Sequence, residues 1–234
     1  MVLIASIPKE LDLKNDILQT TPVSTILSAV GREVEKAKIM KNLGLESIET
    51  KTLLLTDYYE QMNDTGISSN KKIDAEKVVK TGWQLSHMKL QMQNMFGDQT
   101  ESSTIKAVIP SVVRDQIATE IKNKATNEEE VLESQAFITD IFNKVLETLN
   151  SKYGAKIKVE AEKVPEKLSS IIDGTLEIKQ MDISNKETYK TKIKVIQIKA
   201  KENTKETLKY KNKPPQLANI DSISFEEDSS SGEI

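Results

Sequence analysis

Only one pair of neighbouring side chains in this sequence has the residue types of a nucleophile and its base, Ser86 and His87. His87 is the only histidine, and a serine nucleophile needs such a base within hydrogen-bonding distance. Adjacent residues of a helix project about 100° apart, so these two side chains do not face each other. The chain has no cysteine, which excludes thiolate nucleophiles and Cys-ligated metals. We therefore expect a protein that is not an enzyme, with His87 as a surface or helix-packing residue.

Neither the acidic residues nor the glycines follow the pattern of a metal or phosphate site. Glu128, Glu129 and Glu130 stand at the start of a predicted helix, where the positive end of the helix dipole stabilises carboxylates without any cation. No calcium-binding loop or His-Glu-x-x-His helix is present. The eight glycines are scattered singly, whereas a phosphate-binding loop needs several of them close together before a helix. The sequence predicts no metal and no cofactor.

Charge is sorted along the chain. Residues 1–150 carry 17 lysines and arginines against 22 aspartates and glutamates, and residues 151–215 carry 16 lysines against nine acidic residues. Residues 216–234 have five acidic residues and no basic one, so the net charge of −3 hides an acidic body, a basic module and an acidic tail. Such asymmetry concerns partners and self-contacts rather than the fold.

The lysines of the basic module fall mostly at the outward positions of predicted strands, which indicates a lysine-covered sheet face. We define the candidate polyanion or partner face by Lys156, Lys158, Lys190, Lys192, Lys194, Lys199 and Lys201. Such a face binds phosphate backbones by counterion release, although the module has no arginine and few aromatic residues for base recognition. Three interpretations stay open: nucleic-acid contact, an acidic protein partner such as residues 216–234, and a solvated face that prevents edge pairing.

The elements that position these residues begin with helices. Thr21 as the N-cap and Pro22 at the first helical position predict a helix over 22–43, ended by Gly44 in the left-handed conformation with Leu45 in the apolar contact after it. Val23, Ile26, Leu27, Val30 and Val34 form the buried stripe that this helix needs.

A second long helix is predicted over residues 73–96. Its stripe includes Met88, Met92 and Met95, with Trp83 nearby, close to a seven-residue repeat. Stripes of this kind are mostly core, but methionines also form pliable partner surfaces. These four residues are therefore the candidate helix-partner face, with the core interpretation favoured.

Further helices are predicted over 111–124, after Pro110, and up to Tyr153-Gly154, where the hydrophobic period changes from 3.6 to 2. Alternation over residues 155–161 and again over 176–180 predicts half-buried strands, separated by an Asp173-Gly174 turn. The predicted fold class is α+β: an N-terminal helical region of four to five helices, then a small antiparallel β-sheet and a disordered acidic tail. The predicted domains are an arm (1–20), a helical domain (21–150), a lysine-rich β module (151–226) and the tail (227–234).

Together these patterns favour a non-enzymatic structural or assembly protein that acts through protein–protein contacts. We expect a homo-oligomer or a component of a larger assembly, such as a phage or virus particle. The alternative is a nucleic-acid-binding protein that uses the lysine-covered face, with the acidic tail as its regulator. No stretch approaches the roughly 18 apolar residues of a membrane span, so we expect no membrane contact and a location in the cytoplasm or a virion.

Overall fold

The computed structural model describes residues 20–124, 131–158 and 164–183, and the two strand segments 208–210 and 225–227. Within these ranges the chain forms eight α-helices, and a short 3₁₀ helix, Val131–Glu133, precedes the seventh. The helices are α1 (Pro22–Leu27), α2 (Glu33–Asn42), α3 (Thr50–Leu55), α4 (Tyr58–Asn63), α5 (Ser69–Gly97), α6 (Ser103–Asn123), α7 (Gln135–Tyr153) and α8 (Val164–Gln180). Strands β1 (Leu208–Tyr210) and β2 (Phe225–Glu227) pair antiparallel, with Leu208 opposite Glu227.

The first predicted helix is two helices, α1 and α2, separated at residues 28–32. Thr21 is the N-cap as predicted: its Oγ1 accepts from the Ser24 backbone N–H at 3.0 Å, and the Ser24 Oγ accepts from the Thr21 N–H at 2.9 Å. The prediction of one continuous helix is wrong, because Gly31, which has a low helix propensity, falls in the break. The change of direction leaves Val34 71% exposed instead of in the buried stripe.

Helix α2 ends as the sequence predicts. Gly44 has a φ of +68°, and the backbone N–H groups of Leu45 and Gly44 donate to the carbonyls of Met40 (2.8 Å) and Lys41 (3.0 Å). This is the Schellman arrangement, and the Leu45 side chain is fully buried. The turn therefore fixes the direction in which the chain leaves α2. Gly44 also lines a cleft that is described below.

Helix α5 is the centre of the molecule. It packs against α1, α4, α6 and α8, and the five consecutive residues 81–85, which span more than a full turn, are all buried. Helix α1 approaches α5 at Gly82, where an added Cβ atom would lie 3.4 Å from the ring of Pro22. At the far end of α5, the rings of Phe96 and Phe142 stack with their centroids 5.1 Å apart.

Helix α6 starts eight residues earlier than predicted and continues through Pro110. Proline removes one backbone hydrogen bond and costs about 3 kcal/mol inside a helix. Ser102 caps the helix, and Ile105 and Ile109, which precede the proline, are buried. Burying two such side chains contributes roughly 3–6 kcal/mol, which outweighs the cost of the proline on the exposed side.

The predicted α+β class is wrong, because the described body is helical where the first sheet strands were expected. Helix α8 covers both the predicted Asp173-Gly174 turn and the predicted strand over 176–180. Its buried side chains, Leu168, Ile171, Thr175 and Ile178, recur at helical spacing and pack into the common core. The pair of three-residue strands β1 and β2 does not amount to the predicted sheet.

The strand predicted from residue 155 is also wrong for the part that is described. Gly154 ends α7 in the left-handed conformation (φ +61°), and residues 154–158 follow as an irregular segment. The Asn150 side chain accepts from the Ile157 N–H (2.7 Å) and donates to the Ile157 carbonyl (3.1 Å). The hydrogen bonds of one side-chain amide thus take the place of those from a neighbouring strand, and the alternating pattern corresponds to a buried Ile157 and a half-buried Ala155. Residues 1–19 of the predicted arm and 228–234 of the predicted tail lie outside the described residues.

Across the described ranges, none of the helices combines the length and the apolar character needed to cross a lipid bilayer.

Glu35 of α2 pairs with two cations, Arg32 just before α2 and Lys122 of α6, and the second pair joins the two helices. Its Oε1 lies 3.0 Å from Arg32 Nη2 and 3.3 Å from Lys122 Nζ of α6. The hydrogen bond from Arg32, with that from Lys122, lowers the pKa of Glu35 to about 2 against its burial. A carboxyl group whose pKa falls on folding stabilises the protein above its unfolded pKa, and this contribution is lost as the pH falls through the folded pKa.

We predict that Glu35→Gln lowers the free energy of unfolding at pH 5–7 by an amount that shrinks below about pH 4.5 and vanishes near pH 2. Urea unfolding of both proteins across this range measures the difference. Glu60→Gln, at an exposed position of α4, is the matched control. A Glu35→Gln effect that stays constant down to the acid limit of the folded state would contradict the assigned ion pairs.

Candidate functional site

The candidate polyanion face is only partly within the described residues. Lys156 and Lys158 are exposed on either side of the buried Ile157, in the irregular segment rather than on a sheet. Lys190, Lys192, Lys194, Lys199 and Lys201 lie outside the described residues. Two of the seven lysines, Lys156 and Lys158, are therefore exposed in one short segment, but they do not lie on the predicted strand.

The candidate helix-partner face lies inside the protein. Met88 and Met92 are fully buried, Trp83 is 3% exposed, and Met95 is 6% exposed. They belong to the hydrophobic core of the described residues, in which helices of the same chain cover α5. This burial is what the core interpretation of the stripe predicts.

A cleft of about 720 Å³ lies where the end of α2, the middle of α5, the 3₁₀ helix and the end of α8 meet. We call it the basic cleft. Four lysines and two glutamates are among its lining residues: Lys41, Lys77, Lys80, Lys179, Glu46 and Glu133. Its volume is that of a typical ligand pocket, and its charge suits an anionic ligand.

Two of these lysines already have carboxylate partners. Lys80 lies 2.7 Å from Glu76, and Lys179 lies 3.2 Å from Glu133. Among the residues that the structure describes, no ion pair involves Lys41 or Lys77. Both side chains are exposed, so their ammonium groups are available to a ligand.

The floor of the basic cleft is polar and is held in place by buried amides. Gln84 Nε2 donates to Glu133 Oε1 (2.6 Å) and to the Thr175 carbonyl of α8 (3.1 Å). Asn42 Nδ2 donates to the carbonyls of Ile121 (2.7 Å) and Lys124 (3.2 Å) at the end of α6. Because both partners of Asn42 are acceptors, the amide orientation is determined, and Oδ1 remains buried without a hydrogen bond. These bonds make the cleft a preformed feature of the helix junction.

His87 lies on the other flank of α8, in close contact with its backbone. A Cβ atom at Gly174 would lie 2.1 Å from His87 Nε2, so only glycine leaves room for the imidazole. A second cavity of about 420 Å³ opens here, lined among others by His87, Glu166, Asp173 and Glu177. His87 is buried, as the helix-packing interpretation requires. Within the described ranges, no three His, Asp or Glu side chains are arranged as metal ligands; Glu128, Glu129 and Glu130 lie outside them.

Sequence reasoning missed two features of this region. The basic cleft combines lysines from α2, α5 and α8, and the available signal was the spacing of Lys77, Lys80 and Gln84 on one face of α5. Lys89 is also buried, at 6% exposure, and desolvation, followed by the nearby charge of Arg114, lowers its pKa to about 8. A lysine between Met88 and Met92 in a helix with several apolar faces was the signal for that burial.

Comparison of this chain with protein-family models, curated proteins and solved structures finds no match. The assignment of a function therefore depends on the geometry of its own side chains.

Because Gly174 lies against His87, we predict that replacing this glycine with alanine lowers the free energy of unfolding, the opposite of the usual effect in a helix. Gly→Ala inside a helix ordinarily stabilises by about 0.5–1 kcal/mol. We expect Gly174→Ala to destabilise by roughly 1–3 kcal/mol instead, because the new methyl group overlaps the imidazole. Urea unfolding measures the change.

Gly97→Ala is the matched control, since no atom lies within 4 Å of its Cβ position, and we expect it to be neutral or stabilising. In a His87→Ala background, the cost of Gly174→Ala should fall by at least half. Equal costs in both backgrounds would show that the imidazole is not what Gly174 accommodates.

Proposed function

We propose that this chain is a non-enzymatic assembly protein that acts through protein–protein contacts, and that its basic cleft holds an acidic segment of a protein partner. The observation that supports this proposal is the convergence of four lysines on a preformed polar cleft, two of them without carboxylate partners among the described residues. The wider context that the sequence favours is a homo-oligomer or a larger assembly, such as a phage or virus particle, in the cytoplasm or a virion.

A peptide fits the chemistry of the cleft better than a nucleic acid does. Glu46 and Glu133 lie among the lysines and repel a continuous phosphate backbone, whereas a peptide spaces its carboxylates between neutral groups. The lining residues described include no arginine for bidentate phosphate contacts and no aromatic ring for base stacking. Thr81 adds a hydroxyl group to the lining, and peptide backbones bind such groups.

Residues 216–234 supply a natural probe for this proposal, because they carry five acidic residues and no basic one. A labelled peptide of this sequence tests whether one copy of the chain binds the tail of another. A labelled polyglutamate of the same length tests for an acidic partner of different sequence.

We predict that the double variant Lys41→Glu, Lys77→Glu binds the preferred probe at least about tenfold more weakly than the unaltered chain. Fluorescence polarisation at low salt gives the affinities, and the difference should shrink as salt screens the charges. Lys51→Glu, Lys106→Glu is the matched control, since it reverses two exposed lysines outside the cleft. Equal affinities of the two double variants, or no binding of either probe, would refute the cleft as a docking site.

The nucleic-acid alternative is distinguished in the same assay. The nucleic-acid alternative predicts that the unaltered chain binds single-stranded DNA at 50 mM salt. A loss of this affinity in the variant Lys156→Glu, Lys158→Glu, but not in the cleft variant, would favour the lysine-covered face.

Assembly itself is tested by the mass of the full chain in solution. We predict a species larger than the 26.2 kDa monomer by size exclusion with light scattering at high concentration. A strict monomer contradicts the homo-oligomer part of the proposal.

A further inference from the structure

One stripe of α5 carries polar side chains that the fold buries without acceptors. Ser86, Lys89 and Gln93 follow one another at three- and four-residue steps, which places them on one side of the helix. Ser86 Oγ and Gln93 Nε2 are buried and make no hydrogen bond. Lys89 is 6% exposed, and no hydrogen bond or ion pair within the described ranges involves it. All three groups donate hydrogen bonds.

Helix α6 packs against α5 and carries Arg114. Burial, and after it the charge of Arg114, lowers the pKa of Lys89. Arg114 donates from Nε (2.8 Å) and Nη2 (2.7 Å) to Oδ1 of Asp115, its neighbour on α6. No carboxylate that the structure describes forms an ion pair with Lys89. Burial of a cation and of unbonded donors costs free energy unless an acceptor compensates it.

We propose that Lys89, Ser86 and Gln93 form a binding site for a single oxyanion group, either a phosphate or a carboxylate. Such a group has only acceptors and a negative charge, so it satisfies the three donors of α5 and offsets the buried cation. This site goes beyond the proposed function, because it shares none of the lining residues of the basic cleft.

Two sources provide this chemistry. One is free phosphate or a phosphorylated small molecule. The other is a carboxylate of residues 1–19, where Glu10, Asp12 and Asp16 precede α1. Pro22 at the start of α1 packs on Gly82, one turn of α5 before Ser86, so the preceding chain starts near the site.

Titration of the full chain with inorganic phosphate, by calorimetry at constant ionic strength, tests the site. If the source is a free anion, the unaltered chain binds phosphate saturably, and Lys89→Met weakens binding at least tenfold. If the source is internal, the unaltered chain does not bind, but the variant Glu10→Gln, Asp12→Asn, Asp16→Asn gains binding that Lys89→Met again removes. The control Lys106→Met, at an exposed position of α6, leaves the affinity unchanged.

Gln93→Leu provides a second variant, which removes one donor without removing a charge, and we expect it to weaken phosphate binding severalfold. Near-ultraviolet circular dichroism verifies that each variant is folded. The proposal is overturned if neither the unaltered chain nor the amide variant binds phosphate, or if binding occurs but is insensitive to Lys89→Met and Gln93→Leu.

Discussion

The burial of the middle of α5 on all sides is the constraint on which the rest of this structure depends. Such a helix segment exposes almost no face to water, so each polar side chain on it needs a partner inside the protein. Gln84 meets this need with Glu133 and the Thr175 carbonyl. Lys89 has no such hydrogen bond or ion pair within the described residues. Both proposed binding sites include polar residues of this helix.

Helix α8 packs against α5 and lines a surface cavity on each of its two flanks. Its glycine at 174 admits the His87 ring, and the neighbouring Thr175 carbonyl accepts from Gln84, so α8 is held close to α5 along its length. One flank of α8 carries Lys179 into the basic cleft, and the other carries Asp173 and Glu177 into the smaller cavity. Two cavities with different charge thus arise on either side of one contact. The closeness of this contact is what makes the basic cleft a preformed site rather than a loose collection of surface lysines.

Local signals were readable from the sequence, whereas signals that depend on distant neighbours were not. The cap at Thr21, the left-handed Gly44 and the helix end at Gly154 depend on a few neighbouring residues, and all three were predicted correctly. Helix α8 was misread because Leu176 and Ile178 have the spacing of a strand, although on the helix they project about 200° apart and only Ile178 is buried. Gly174 looked like part of a turn, since nothing in the local sequence shows that a histidine 87 positions earlier needs its space. Pro110 was read as a boundary because the burial that offsets its cost comes from tertiary packing.

The same distinction explains why charge sorting along the chain did not locate the site. Three lysines of the basic cleft, Lys41, Lys77 and Lys80, come from the acidic block of residues 1–150, and only Lys179 comes from the basic module. The net charge of a segment sums groups that point in different directions, whereas a ligand responds to those within a Debye length of it, about 8–10 Å. Folding selects these groups: ion pairs with Glu76 and Glu133 compensate Lys80 and Lys179, which leaves Lys41 and Lys77 without an ion pair among the described residues. Lysines of an acidic block can therefore line a basic cleft, and the reversal of two lysines in that block is a sharper test of partner binding than removal of the whole lysine-rich module.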